Sequence, residues 1–176
     1  MENQQNAASE VWPPPPTNSV QAKEETSPLA ALAHFRVQSI WLILLLTVIT
    51  AGIYAVFWLR RQSLLINSLR PDLKLSIVYA NIVLAFAFVS AGLDIISVVI
   101  TSPTFDTWAS ISDRIYGLLL LVLSFQVRGG LNGLLQVSKS DPYSFGGVYT
   151  WLFSVMYLQY KLNQNIRRWR GVSGQV

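Results

Sequence analysis

Few residues in this chain have the means to do chemistry, and Asp94 is the foremost of them. It stands in an apolar run with Ser90, Ser97 and Thr101, at steps that put all four on one helix face. A carboxylate within hydrocarbon needs a cation or water, and intramembrane acids are where proton and ion relays are built. Two arginines of the next apolar segment are candidates for that cation. Arg114 opens the segment and can reach down toward Asp94, whereas Arg128 lies roughly 20 Å of helix rise further on and would need tilt to make contact. Ser124 belongs to a second stripe at helical spacing, Asp113, Gly117, Ser124, Arg128 and Asn132. The plainer reading of Asp94 with Arg114 or Arg128 is a structural ion pair that fixes helix packing.

Other chemistries are excluded more than offered. There is no cysteine, which removes disulfides, thiolate metal sites and cysteine nucleophiles. His34 is the one histidine and has no His, Cys or acidic neighbours at ligand spacing, so it is not a metal ligand. No nucleophile elbow, phosphate loop or paired carboxylates are present. Gly129-Gly130 and Gly146-Gly147 lack the basic residue and spacing of a phosphate cradle and read as hinges at helix ends. No catalytic residue, cofactor or metal is expected, and the chain is not read as an enzyme. The aromatic stretch Tyr143 to Tyr160 reads as a membrane-interface belt rather than a stacking platform for a ligand.

The elements that must carry these residues are apolar helices. The chain is 52% hydrophobic and 12% charged, about half the charge of a soluble domain. From Gln38 the run is uncharged between Ser39 and Leu59 and closes on Phe57, Trp58, Arg60 and Arg61. A crossing helix needs about 20 apolar residues, with aromatics at the interface and cations on the cytoplasmic flank. Similar segments cover about 38–60, 75–101, 113–138 and 146–166. The expected fold is an all-α integral membrane protein, a small bundle of about four membrane helices. Three or four of these are full spans and one is interfacial or re-entrant. A Pro-rich tail, residues 1–30, is read as disordered, with a polyproline II run at Pro13–Pro16 and no secretory-signal pattern. The helical membrane domain occupies 31–170, and 171–176 form a disordered end.

Within the first segment Thr47, Ala51 and Ala55 recur every four residues beside Gly52, a small-residue face for close helix packing. The Thr50-Ala51-Gly52 patch also permits a kink or a re-entrant turn, but packing is the first reading. Charge sets the sides. Arg60, Arg61, Arg70 and Lys74 against Asp72 mark the loop before the second segment as cytoplasmic, and the connection Thr101–Asp113, with two acids and no cation, as outer. Four full crossings would strand Arg167, Arg168 and Arg170 on the acidic side. The conflict disappears if the fourth segment lies flat or re-enters, or if the first is a re-entrant hairpin and the others cross. A cytoplasmic C-terminal segment is favoured. The net charge of +4 is read as topology and headgroup contact, with no basic soluble face for nucleic acid.

Two stretches carry a resemblance. ILLLTVITAGIYAVFWLRR, Ile43 to Arg61, resembles the T-x-G-I-Y-x-x-x-W signature of a bacterial membrane-protein family, domain of unknown function 4234, on Thr50, Gly52, Ile53, Tyr54 and Trp58. YLQYKLNQ, Tyr157 to Gln164, is similar to the closing Y-L-Q-Y-x-I-N of its longer members. The resemblance implies a multi-pass protein of the bacterial cytoplasmic (inner) membrane and brings no activity, since the family has none assigned. The functional expectation is a non-enzymatic accessory or scaffold component that packs with itself or another membrane protein, its other partner being the lipid bilayer, with no soluble substrate. The alternative is a small transporter or channel along the stripes around Asp94.

Overall fold

Apolar stretches punctuated by proline and serine make helices, and the computed structural model describes residues 28–100, 102–138 and 140–173, whose regular structure is entirely helical. Most of the tail expected to be disordered lies outside the described residues, as do Thr101, Lys139 and 174–176. A 3-10 helix, Pro28–His34, begins within the expected tail and is followed by α1 (Ile40–Ile49), α2 (Ile53–Leu69), a short 3-10 turn (Pro71–Leu73), α3 (Ile77–Val99), α4 (Pro103–Leu135) and α5 (Gly147–Ser173).

The first apolar run is not one span. α1 ends in a Schellman motif: Gly52 N–H donates to Thr47 O (2.7 Å) and Ala51 N–H to Val48 O (3.2 Å). Ala51 takes φ 47° and Gly52 φ 87°, both left-handed, so the helix cannot continue through them. The Thr50 hydroxyl donates to Leu46 O in α1 and accepts from Tyr54 N–H in α2, tying both arms to the turn. The chain then doubles back. Gln38, before α1, and Trp58, in α2, bond to Asn163 and Gln159, which are one turn apart on α5. In a single helix Gln38 and Trp58 would stand roughly 30 Å apart, against about 6 Å between their partners. The stripe Thr47, Ala51, Ala55 is therefore not a helix face. Ala51 is exposed in the turn, and Ala55 is buried in the other arm.

Pro71 ends α2 as expected, and α3 falls within the expected second segment. The connection expected over Thr101–Asp113 is helical instead: Pro103 occupies the first turn of α4, and only Ile100 to Ser102 link the two helices. α3 and α4 pack most extensively of any pair, antiparallel, with the Tyr79 hydroxyl donating to Leu119 O and the Ser90 hydroxyl to Asp113. Gly129-Gly130 does not hinge α4, which runs through it unbroken. A Cβ at Gly130 would lie 2.8 Å from both terminal carbons of Leu75, and one at Gly133 would lie 2.8 Å from Leu73. Gly130 and Gly133 thus admit the α2–α3 connection. α4 closes on a second Schellman motif, with Val137 N–H to Asn132 O, Gln136 N–H to Gly133 O and Gln136 at φ 52°.

α5 is likewise two arms. Ser154 adopts φ 43°, ψ −119° inside it, and contacts pair residues before the break with residues after it. Gly146 N–H donates to the Tyr157 hydroxyl (2.8 Å), Tyr149 stacks on Tyr157, Asn165 donates to Tyr143 O and Lys161 to Pro142 O. Earlier residues meet later ones, the pattern of a hairpin.

The core gathers around the C-terminal half of α4, where Leu123, Val127, Leu131 and Leu134 meet Leu32, Val56, Leu59, Phe145, Leu158 and Leu162. The other half of the α3–α4 pair leaves Ile95, Val98, Val99, Trp108 and Leu118 exposed. α3 and α4 are long and apolar enough to cross a membrane, at about 34 and 50 Å of rise for a core of about 30 Å. α1, at about 15 Å, is too short, and α5 does not meet the same criteria.

Gly52 is the tightest of these constraints, since a Cβ there would combine left-handed strain with a 2.9 Å approach to the Tyr116 hydroxyl. Gly52→Ala is expected to cost about 1–2 kcal/mol or more, read as an earlier midpoint in dodecyl sulfate titration of the micellar protein. An unchanged midpoint would mean that the turn is not held in this form.

Candidate functional site

The two hairpins meet in a chain of amide hydrogen bonds. Trp58 sits on the inner face of α2, 2% exposed, and donates its indole N–H to Gln159 Oε1 at 3.0 Å. Gln159 passes the chain on through its Nε2 to Asn163 Oδ1. Asn163 then clamps the backbone of Gln38 from both sides, donating to its carbonyl (2.7 Å) and accepting from its N–H (3.2 Å). Spacing of four along α5 puts Gln159 and Asn163 on one face, and that face is buried with Leu158, Leu162 and Ile166. Gln62, one turn from Trp58, is also buried, and its Oε1 has no protein partner among the described residues. The tip of the first hairpin is fixed from α4, where the Tyr116 hydroxyl donates to Gly52 O at 2.9 Å.

A second polar cluster holds the connection between α4 and α5. Asn132 donates to Phe145 O and accepts from Phe145 N–H, and Arg128 donates through Nε to the same carbonyl at 2.8 Å. Lys161 and Arg168 both donate to Pro142 O. Between α4 and this turn lies a cavity of about 390 Å³ lined by Arg128, Asn132, Ser138, Ser144 and Phe145–Val148. On the far side of the second hairpin an apolar cleft of about 520 Å³ runs between Ile40 and the aromatic rings of Tyr149, Phe153, Tyr157 and Tyr160. Outside the apolar core, Arg70 and Asp72 form an exposed bidentate pair at 2.7–2.8 Å, whose hydrogen bonds hold the Asp72 carboxyl below the usual carboxylate range.

Asp94 is half-buried on α3, but the expected ion pair is not formed. Arg114 is exposed on α4 and Arg128 is engaged with Phe145. Among the described residues no cation lies within ion-pair distance of Asp94. Of the stripe residues, Ser90 donates to Asp113, Ser97 to the Asp94 carbonyl, and Ser124 to Leu120 O. Because Ser124 spends its one hydrogen there, it accepts from Ser154 at 2.6 Å, which anchors the second hairpin tip to α4. Thr47 and Gly52 serve the Schellman turn rather than an intermolecular face. His34 is exposed.

No protein-family model matches this chain, and no curated protein or solved structure is similar enough to match it. The two stretches singled out by their sequence patterns nonetheless meet: Thr50, Gly52 and Trp58 shape one hairpin, and Gln159 and Asn163 bind it from the other. Gln159, Asn163 and Gln38 were reachable from sequence only as polar residues inside apolar runs, where an unpaired amide is costly.

Trp58→Phe and Gln159→Leu each leave a buried partner unpaired, at an expected cost of about 1–3 kcal/mol. The double variant should fall short of the sum by about 1 kcal/mol, read in the same titration as a mutant cycle. Strict additivity would separate the two side chains.

Proposed function

We propose that this chain is a multi-pass protein of the bacterial cytoplasmic membrane in which α3 and α4 cross and both hairpins enter and leave on the cytoplasmic side. The supporting observation is how charge divides along α4. Around its C-terminal end gather Arg60, bonded to Asn81 near the start of α3, Arg70 and Lys74 in the α2–α3 connection, and Lys161 and Arg168 of α5, bonded to Pro142 O in the α4–α5 turn. At the opposite end stand Asp94, Asp106 and Asp113 with Arg114. Two crossings and two returning hairpins put the first group inside, as the positive-inside rule requires, and relieve the conflict that four crossings create.

In this reading the protein is a non-enzymatic accessory or scaffold component of the membrane. Its polar side chains are spent on holding helices, and α3 offers an apolar ridge of Val78, Ile82, Val89 and Ile96, all exposed at helical spacing, to lipid or to a neighbouring membrane helix. Kinship with the domain of unknown function 4234 family is part of the proposal, supported by the meeting of the two patches that carry it. The transporter reading has less support, because Ser90, Ser97 and Ser124 are committed to bonds within the α3–α4–α5 core.

The absence of native cysteine makes single-cysteine mapping clean. A membrane-impermeant maleimide should label Ser110→Cys in intact cells, and Ser68→Cys, Ser140→Cys and Gly171→Cys only after permeabilisation. Placement of residues 68 and 171 on opposite sides would refute the two-hairpin topology. In reconstituted vesicles Asp94→Asn should leave ion flux at the parent's level; a loss of flux on that substitution would favour transport instead.

A further inference from the structure

We infer that Arg128 and the α4–α5 turn form a binding site for a phosphate-bearing anion, met in the membrane as the headgroup of an anionic phospholipid of the cytoplasmic leaflet. The lipid source rests on the topology proposed above; the anion site itself rests on the following geometry.

Arg128 uses only Nε within the protein, on Phe145 O. Its Nη1 and Nη2 have no acceptor among the described residues, and it makes no ion pair there. The guanidinium stands over the Phe125 ring, 5.8 Å from Cζ to centroid, and beside Gly147, where a Cβ would stand 3.5 Å from Cζ and Nη2. A guanidinium anchored at Nε and neighboured by Phe125 and Gly147 has its remaining fork positioned by the fold. That fork is the geometry that takes two oxygens of a phosphate or carboxylate at once.

The cavity it lines suits such a group. At about 390 Å³ it falls in the size range of small-molecule sites. Among the described residues its lining holds one cation, the polar side chains Asn132, Ser138 and Ser144, and no carboxylate. Asn132 spends both ends of its amide on Phe145 and so positions the wall rather than the ligand. Lys161 and Arg168 converge on Pro142 O of the same turn and hold it in place.

Two features favour a lipid over a free anion. The site lies about two turns before the end of α4, where basic pockets between membrane helices take headgroups. Val148, which lines the cavity, is 70% exposed, and Leu152, one turn on, is 54% exposed. Together they form an apolar track leading out of the site, along which an acyl chain can lie.

The test uses the full chain in neutral detergent, titrated with short-chain phosphatidylglycerol, with phosphatidylcholine of the same chain length, and with inorganic phosphate, binding being read by tryptophan fluorescence. Phosphatidylglycerol should bind about tenfold or more tightly than phosphatidylcholine. Arg128→Gln should remove that preference, and the exposed Arg61→Gln should keep it. Since Arg128 also supports Phe145, Ser138→Glu provides a second probe: it adds a carboxylate at the exposed rim without touching the core, and should weaken phosphatidylglycerol by about tenfold or more. Phosphatidylglycerol affinity unchanged in both Arg128→Gln and Ser138→Glu, or equal affinity for the two lipids, overturns the site. Inorganic phosphate binding as tightly as phosphatidylglycerol overturns the lipid source alone. A failure of the topology would appear in cysteine labelling and would leave these micellar titrations unchanged.

Discussion

The bond from Trp58 to Gln159 is where the rest of the architecture is decided. Each hairpin on its own is a weak unit: α1 has ten residues, below the length at which an isolated helix is stable in water, and the first arm of α5 is shorter still. Each also carries amides that apolar surroundings penalise unless paired. Pairing them with one another solves both problems at once. Trp58 needs an acceptor, Gln159 supplies one, and Asn163 beyond it closes the backbone of Gln38 just where α1 has not yet begun. In a low-dielectric core such a chain is worth more when complete and costs more when broken, so the two hairpins are stable together or not at all.

α4 is the rod against which this happens. It reaches each tip with a hydroxyl: Tyr116 caps the exposed carbonyl of Gly52, and Ser124 meets Ser154. It also supplies the glycines that bring the α2–α3 connection close. Gly130 and Gly133 stand three apart, so they fall on one side of the helix, and Leu75 and Leu73 occupy the space that side chains would otherwise take. Packing is dense over this half because four elements share it. Over the other half only α3 and α4 run, and their outward residues stay uncovered by protein.

The existence of the helices was legible in the sequence, and so was the start of α3 at its serine cap. α3 lies within its expected bounds, and Ser76 caps it by accepting from Tyr79 N–H. The turn at Thr50–Gly52 was legible only as an alternative to packing, because the left-handed position that breaks α1 is taken by Ala51, a strong helix former, with glycine one place later than usual. Ser154 and Gln136 carry no propensity signal for the positive φ they adopt; Ser154 is held by its bond to Ser124 and Gln136 by the closing turn of α4. Residues 103–112 read as a loop because an exposed helix turn rich in Thr, Ser and Asp has the composition of one, although Pro103 was a valid start signal. Gly130 read as a hinge because its role depends on Leu75, which only the folded chain brings near. The amide chain was illegible for the same reason, since Trp58 and Gln159 are 101 positions apart.

Hairpins and charge sidedness are two consequences of one requirement. A segment that enters apolar surroundings and returns leaves both its flanks on the side it came from, so cations may cluster there without any of them crossing. In the proposed topology it must then satisfy its own turn at depth, where water is scarce. Both turns do so through side-chain oxygens rather than through a run of glycines: Thr50 and Tyr116 at the first, Ser124 and Ser154 at the second. The two anchors on α4 are about 12 Å apart in rise, so the first hairpin reaches further toward the acidic end than the second. The shallower hairpin is also the one with its aromatic arm uncovered, beside Arg128. Exposure and the unspent guanidinium thus coincide toward the end of α4 where the basic residues gather, while Asp94 stands half-buried toward the other end.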